Sequence, residues 1–306
     1  SCLALGGTDT FYRSDPQNPY HSYIEQTYGT QVVTASIHIN IGIGDLEELI
    51  RACRLVRMEA PLYLALSASS PFLNGQVTGY HSSRWQMFPK TPQEVPLFTS
   101  HGHFVQWTEE QLTLGTMQNV RHLWSAVRPN GDNRPHNLNR LELRICDLVT
   151  KPLSLLAIVA LLEARLQQML ADPTLDPLQQ SQLTPSELLT LADQNEISAA
   201  VSSLDSTLHH WRDGRAIAAR EWIEELYQSV QPEAKYQGFA CFLPPLRKIL
   251  REGNQAQQWL TQYEQGKSAP TIVQEAILQT ETEEAMLAQD LCLPSTRAGD
   301  EMLSLV

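Results

Sequence analysis

The chemistry-bearing residues of this chain gather in Arg140-Leu141-Glu142-Leu143-Arg144, where charged and apolar side chains alternate. Alternation with a period of two predicts a strand with one wet and one buried face. With a rise of about 3.3 Å per residue, Glu142 and Arg144 leave one face roughly 7 Å apart, with Arg140 beside them. Leu141, Leu143 and Ile145 take the opposite face. A cation–anion–cation row can be a solvated surface that pairs its own charges. A second strand-like stretch, Val32 to Gly42, weakens that reading, because it places Ser36, His38 and Asn40 together and Ile37, Ile39 and Ile41 behind them. A neutral imidazole can ligate a metal through one ring nitrogen, although a lone strand histidine more often only hydrogen-bonds. On the working faces of two strands, His38 and Glu142 could together help to hold a hard, oxygen-seeking cation. The flanking arginines would then meet phosphate or carboxylate oxygens.

These groups need rigid carriers. Asp45 is expected to cap a helix whose apolar positions are Leu46, Leu49, Ile50, Cys53, Leu55 and Val56, with Pro61 interrupting or kinking it. Leu62 to Ser67 continue as a buried helix or strand. Ser67 to Arg84 is a loop rich in turn chemistry, and Arg84 stands at its end beside Trp85. His101 and His103 would share a face if that segment were a strand. A helix is expected over Thr108 to Met117, and a strand over Asn119 to Val127 with Trp124 in the core. Arg128-Pro129-Asn130-Gly131-Asp132 reads as a turn presenting Arg128, which Pro129 restricts to an extended backbone. Pro152 fits the first position of a strongly apolar central helix, Leu153 to Leu170. From Pro185 the chain reads as helical: Ser186 to Asn195, Ser198 to Trp211, Ala216 to Ser229, Leu246 to Arg251 and Gln255 to Glu264. A loop over Asp9 to Asn18, a short helix over Pro19 to Tyr28 and a frayed tail complete the reading. The expected division is a catalytic α+β core over residues 1–172, a helical part over 173–290 packed on it, and a tail over 291–306.

Of 306 residues, 42% are hydrophobic and 18% charged, and 22 basic against 34 acidic residues give a net charge of −12. That balance argues against a nucleic-acid or anionic-membrane partner. It leaves room for an anionic nucleotide held by a local arginine cluster. No run of about 18 apolar residues is present, so no membrane span is expected. Five dispersed cysteines without Cys-x-x-Cys spacing suit a reducing cytoplasm. Cys146 reaches the face of Glu142 only if the strand stays regular past Ile145, and nothing nearby activates it. Neither a P-loop nor a Gly-x-Gly-x-x-Gly sequence occurs.

Five segments occur in a telling order: His38-Ile39-Asn40-Ile41-Gly42, Ala65 to Phe72, Gly79 to Arg84, Leu123 to Pro129, and Arg140 to Arg144. Together they resemble the carboxylate–amine ligase branch of the glutamate–cysteine ligases, most closely its cyanobacterial-type form, within the glutamine synthetase-like superfamily. The resemblance is close over Gly6 to Leu170 and loose beyond. It implies an α+β fold: an antiparallel β-sheet forming a concave active-site face, covered by helices, with a helical C-terminal part. It implies a cytoplasmic enzyme that uses ATP and Mg2+ to join the γ-carboxylate of glutamate to the amine of cysteine through a γ-glutamyl phosphate. By the same resemblance His38 and Glu142 are magnesium ligands, Arg84, Arg128 and Arg144 bind phosphate or substrate carboxylate, and Arg128 and Arg144 face the nucleotide. Asn40 stands where a second histidine is commoner and is given a hydrogen-bonding role, and His101 and His103 a structural one. Two alternatives stand beside this: a ligase for another amino acid or amine, and a non-catalytic interaction module. The family's N-terminal Glu-x-Glu strand has no equivalent here. The chain is therefore expected to be truncated, and inactive by itself.

Overall fold

The structure is a computed structural model that describes residues 17, 22, 23, 26, 35–87 and 90–292. The expected loop over Asp9 to Asn18 and helix over Pro19 to Tyr28 lie almost wholly outside the described residues, as do the start of the His38 strand and the tail from residue 293.

The elements follow the chain as β1 (Ile39–Gly42), α1 (Leu46–Ser67), β2 (Phe72–Leu73), β3 (Gln76–Val77), α2 (Ser83–Gln86), α3 (His101–Leu114), β4 (Val127–Asn130), β5 (Arg140–Leu143) and α4 (Pro152–Ala171). Then come α5 (Pro177–Gln180), α6 (Pro185–Ser202), β6 (Thr207–His209), β7 (Ala216–Ala218), α7 (Ala219–Tyr236), α8 (Pro245–Glu252), α9 (Gln255–Glu264) and α10 (Ala269–Cys292). The sheet that matters is antiparallel, ordered β1-β5-β4. Its register sets Ile39, Leu143 and Val127 in one row and Ile41, Leu141 and Pro129 in another. Alternation puts these apolar rows on one face. They join the core that α1 runs through.

Asp45 caps α1 as expected, accepting from the backbone N–H of Glu47 and Glu48. Every residue from Leu49 to Ser67 is buried, charged ones included. The helix continues through Pro61, whose missing N–H costs one backbone bond that packing on all sides offsets. Four charges that an amphipathic reading would leave wet are matched inside. Arg51 donates to the carbonyls of Met169 and Asp172 at the end of α4, and Arg54 pairs with Asp176. Arg57 pairs with Asp193 and Glu196, and Glu59 with Arg165. One hydrophobic core runs from Ile39 to Ile249, so residues on both sides of the expected boundary at 172 share it.

By length and hydropathy α4 could cross a membrane, alone among the described helices, although the sequence shows no unbroken apolar run of that length. Half of that stretch is buried within the fold, and Arg165 anchors it to Glu59 in α1.

Three local expectations are corrected. His101 and His103 start a helix capped by Ser100, where residues two apart do not face one another. His101 bonds the Pro135 carbonyl and His103 pairs with Thr99. Arg128 to Asn130 form a strand, not a turn; β4 is an edge strand, where a proline sacrifices no ladder bond. The expected Ser198 to Trp211 helix stops at Ser202, because Ser203 takes a positive φ of 45°, and the chain then enters the β6–β7 hairpin.

Candidate functional site

On the polar face of the sheet, the register aligns Asn40, Glu142 and Arg128 across three strands, with Arg140 and Asn130 in the next row. Glu142 is the hub. Its Oε2 accepts from Arg128 Nε at 2.7 Å and from Asn130 Nδ2 at 3.0 Å. Its Oε1 lies 3.0 Å from His38 Nδ1 and 3.8 Å from Arg144 Nε. Arg128 Nη1 also donates to the carbonyls of Arg121 and Leu123, and Arg144 Nη1 donates to that same Leu123 carbonyl. One carboxylate and one carbonyl thus hold two guanidinium groups side by side.

Glu142, Arg128 and Arg144 are all buried, whereas His38 and Asn40 are exposed. Burial alone would raise the Glu142 pKa. The hydrogen bond from His38, the charge and hydrogen bond of Arg128 and the charge of Arg144 outweigh it and bring the value to about 2. Arg134 joins the same field: burial first, then the neighbouring charge of Arg128, lower its pKa to about 10, with Arg121 and Arg140 adding to the repulsion. Three arginines, Arg128, Arg134 and Arg144, therefore act on one carboxylate, with Arg121 and Arg140 near Arg134, in a chain whose net charge is −12. Such a surplus of fixed, planar donors is suited to binding phosphate or carboxylate oxygens.

Four of the five sequence-chosen residues, His38, Arg128, Glu142 and Arg144, come together here. Arg84 does not make these contacts. It is 1% exposed; its Nε donates to Asp147 at 2.9 Å, and its Nη2 donates to the carbonyls of Arg144, Ile145 and Cys146. It clamps the chain leaving β5. Asp147 is fully buried and also accepts from the Ser69 N–H and the Ser70 and Ser82 hydroxyls. Cys146 is buried, and burial pushes its thiol up to about 12, which removes it as a nucleophile.

His38 and Glu142 do not by themselves make a magnesium centre. Among the described residues no group of three or more His, Cys, Asp or Glu side chains converges. A hard divalent ion seeks about six oxygens, whereas the Glu142 oxygens already serve Arg128, Asn130 and His38.

Sequence reasoning missed Asn130, Arg134 and Asp147. Asn130 lies two positions from Arg128, so period-two alternation would have revealed it had the segment been read as a strand. Arg134 and Asp147 carry no local signal, since only tertiary contacts give them partners.

A three-stranded antiparallel sheet with a charged face and a helical back makes this an α+β fold. The solved structure titled as glutamate–cysteine ligase from Francisella tularensis in complex with AMP matches with a TM-score of 0.63, covering 85% of this chain and 66% of that one, and its 12% identity makes this a statement about fold. The chain belongs to the glutamate–cysteine ligase family 2, whose model matches residues 1–286. A relative from Sorangium cellulosum, named "Putative glutamate--cysteine ligase 2", is 31% identical over 247 residues, which cover 80% of this chain and 63% of that protein. A relative of the same name from Solibacter usitatus is 27% identical over 289 residues, covering 91% of this chain and 72% of the relative. The chain thus spans under two thirds of the first relative's length.

Proposed function

We propose that this protein acts as an ATP-dependent carboxylate–amine ligase, joining the γ-carboxylate of glutamate to the amine of cysteine, the first step of glutathione formation. The observation that carries the reading is the pair of guanidinium groups, Arg128 and Arg144, fixed by Glu142 and the Leu123 carbonyl on the sheet face of a family member. A carboxylate resists attack by an amine because oxide is a poor leaving group. Transfer of the γ-phosphoryl group of ATP to the carboxylate yields an acyl phosphate and ADP. The amine then attacks the acyl carbon, phosphate leaves with the bonding pair, and the amine proton passes to solvent.

In this scheme Arg128 and Arg144 hold phosphoryl or carboxylate oxygens through planar N–H donors. Glu142 stays ionised and keeps both guanidinium groups oriented, so that little reorganisation accompanies charge transfer. Arg84 acts through the backbone: it fixes the carbonyls of residues 144–146 and with them the exit of β5. Magnesium belongs to the family expectation. It would need oxygen ligands beyond those of His38 and Glu142, so no step is assigned to it.

The test is ADP release by a protein of its relatives' full length that contains this chain, with glutamate and a panel of amino acids and simple amines as acceptors. Selective stimulation by cysteine supports the reading. Stimulation by another amine moves it to a different acceptor within the same chemistry. Unchanged ADP release with every acceptor, together with no calorimetric binding of ATP, overturns it in favour of the interaction module.

A further inference from the structure

Away from the sheet face, a cavity of about 640 Å³ lies between the start of α4, helices α8 and α9, and the long α10. Its size is that of a site for a small organic ligand, as such pockets run from about 300 to 1,000 Å³. The outer wall is a stripe of α10, Gln279, Glu283, Met286 and Leu287, spaced as one helix face. That stripe roofs the space without filling it. Val149, Leu153, Pro244, Pro245 and Ile249 make much of the remaining wall apolar.

The polar groups are unevenly placed. Of the two lysines on the wall, Lys248 lies by Glu252, which also receives Arg251. Lys151 instead donates to the neutral amide oxygen of Gln258 and has no carboxylate partner among the described residues. Beside Lys151, α4 opens with no side-chain cap, so the first-turn N–H groups of Leu153 and Ser154 add partial positive charge. Lys151 and the first turn of α4 thus put positive charge on a wall that also carries Glu252 and Glu283 and is otherwise mostly apolar.

We propose that this cavity binds an amphipathic monocarboxylate: an alkyl or aryl chain lying along Leu153, Pro245 and Ile249, with its carboxylate at Lys151. The assignment is independent of the ligase reading, because none of these residues belongs to the Glu142 cluster.

The test is calorimetric titration of the 306-residue protein with decanoate, with 1-decanol and the decyltrimethylammonium ion as matched neutral and cationic chains. The site predicts one-to-one saturable binding of decanoate, about tenfold or more tighter than that of 1-decanol, since the charge-assisted bond to Lys151 is lost in the alcohol. The cationic chain should bind least. Lys151→Gln should remove most of the difference between acid and alcohol while leaving alcohol binding in place. Met286→Trp, placed on the exposed roof helix where folding is not at stake, should narrow the cavity and weaken both chains. The proposal fails if decanoate shows no saturable binding, if the cationic chain binds equally well, or if neither substitution changes the affinities.

Discussion

Replacing Glu142 by Gln keeps the shape of the side chain and deletes its charge. Arg128 and Arg144, both buried, then lose their shared counter-ion, and the new amide turns a donor toward a ring of donors. The magnitude follows from the acid's titration. An ordinary glutamate titrates at 4.5 and this one at about 2, and at about 1.4 kcal/mol per pH unit the ionised form contributes about 3 kcal/mol to the native state. The folded value lies below the unfolded one. The contribution is therefore complete above about pH 4.5, is lost as pH falls, and is gone below about pH 2. Urea titrations of both proteins should show the Gln variant less stable by about 3 kcal/mol at pH 7. The two should converge as pH falls to about 2 and below, where native Glu142 is itself being neutralised. A difference under about 1 kcal/mol at pH 7, or one that stays constant from pH 7 to about 2.5, would refute the account of Glu142 as a buried, ionised anchor.

Arg84→Leu should cost about 3–5 kcal/mol in urea titration, because it strands the buried Asp147 charge and three carbonyls; a loss below about 1 kcal/mol would remove its clamping role. Arg128→Lys keeps the charge but not the fork, and under the proposed reading kcat/KM for ADP release should fall at least about tenfold; an unchanged value would separate Arg128 from ligand binding. Among the described cysteines Cys241 is exposed whereas Cys53 and Cys146 are buried with thiols pushed up by burial. Iodoacetamide at pH 8 followed by mass spectrometry should accordingly label Cys241 well ahead of the other two, and equal labelling would contradict the burial.

The alternating segments were legible because a strand's period is local. Leu141 and Leu143 inside, Glu142 and Arg144 on the other face, follow from pleat geometry alone, and the register then aligned Arg128 with Glu142. The helix at Asp45 was legible by its cap. Its true length was not, since Pro61 and four charged residues argue for an end or a wet face, and only partners as distant as Asp176 and Glu196 reverse that. Arg84 shows the same limit. Its residue type suggested a ligand, but the buried carboxylate it serves lies 63 positions away. The hairpin after Ser203 was hidden because a positive φ at a serine has no sequence signature.

The pairing of β1 with β5 has a consequence for how this protein is made. Ile39 meets Leu143, about a hundred residues later. At a synthesis rate of about 5–20 residues per second, β1 and the apolar α1 behind it leave the ribosome on the order of ten seconds before the strand that completes their sheet. Throughout that interval the nascent chain presents an unpaired strand edge followed by a helix with no solvent-facing side. The carboxylate that organises the site arrives with the strand that completes the sheet, so the arginine cluster forms only once β1 and α1 have waited out that interval.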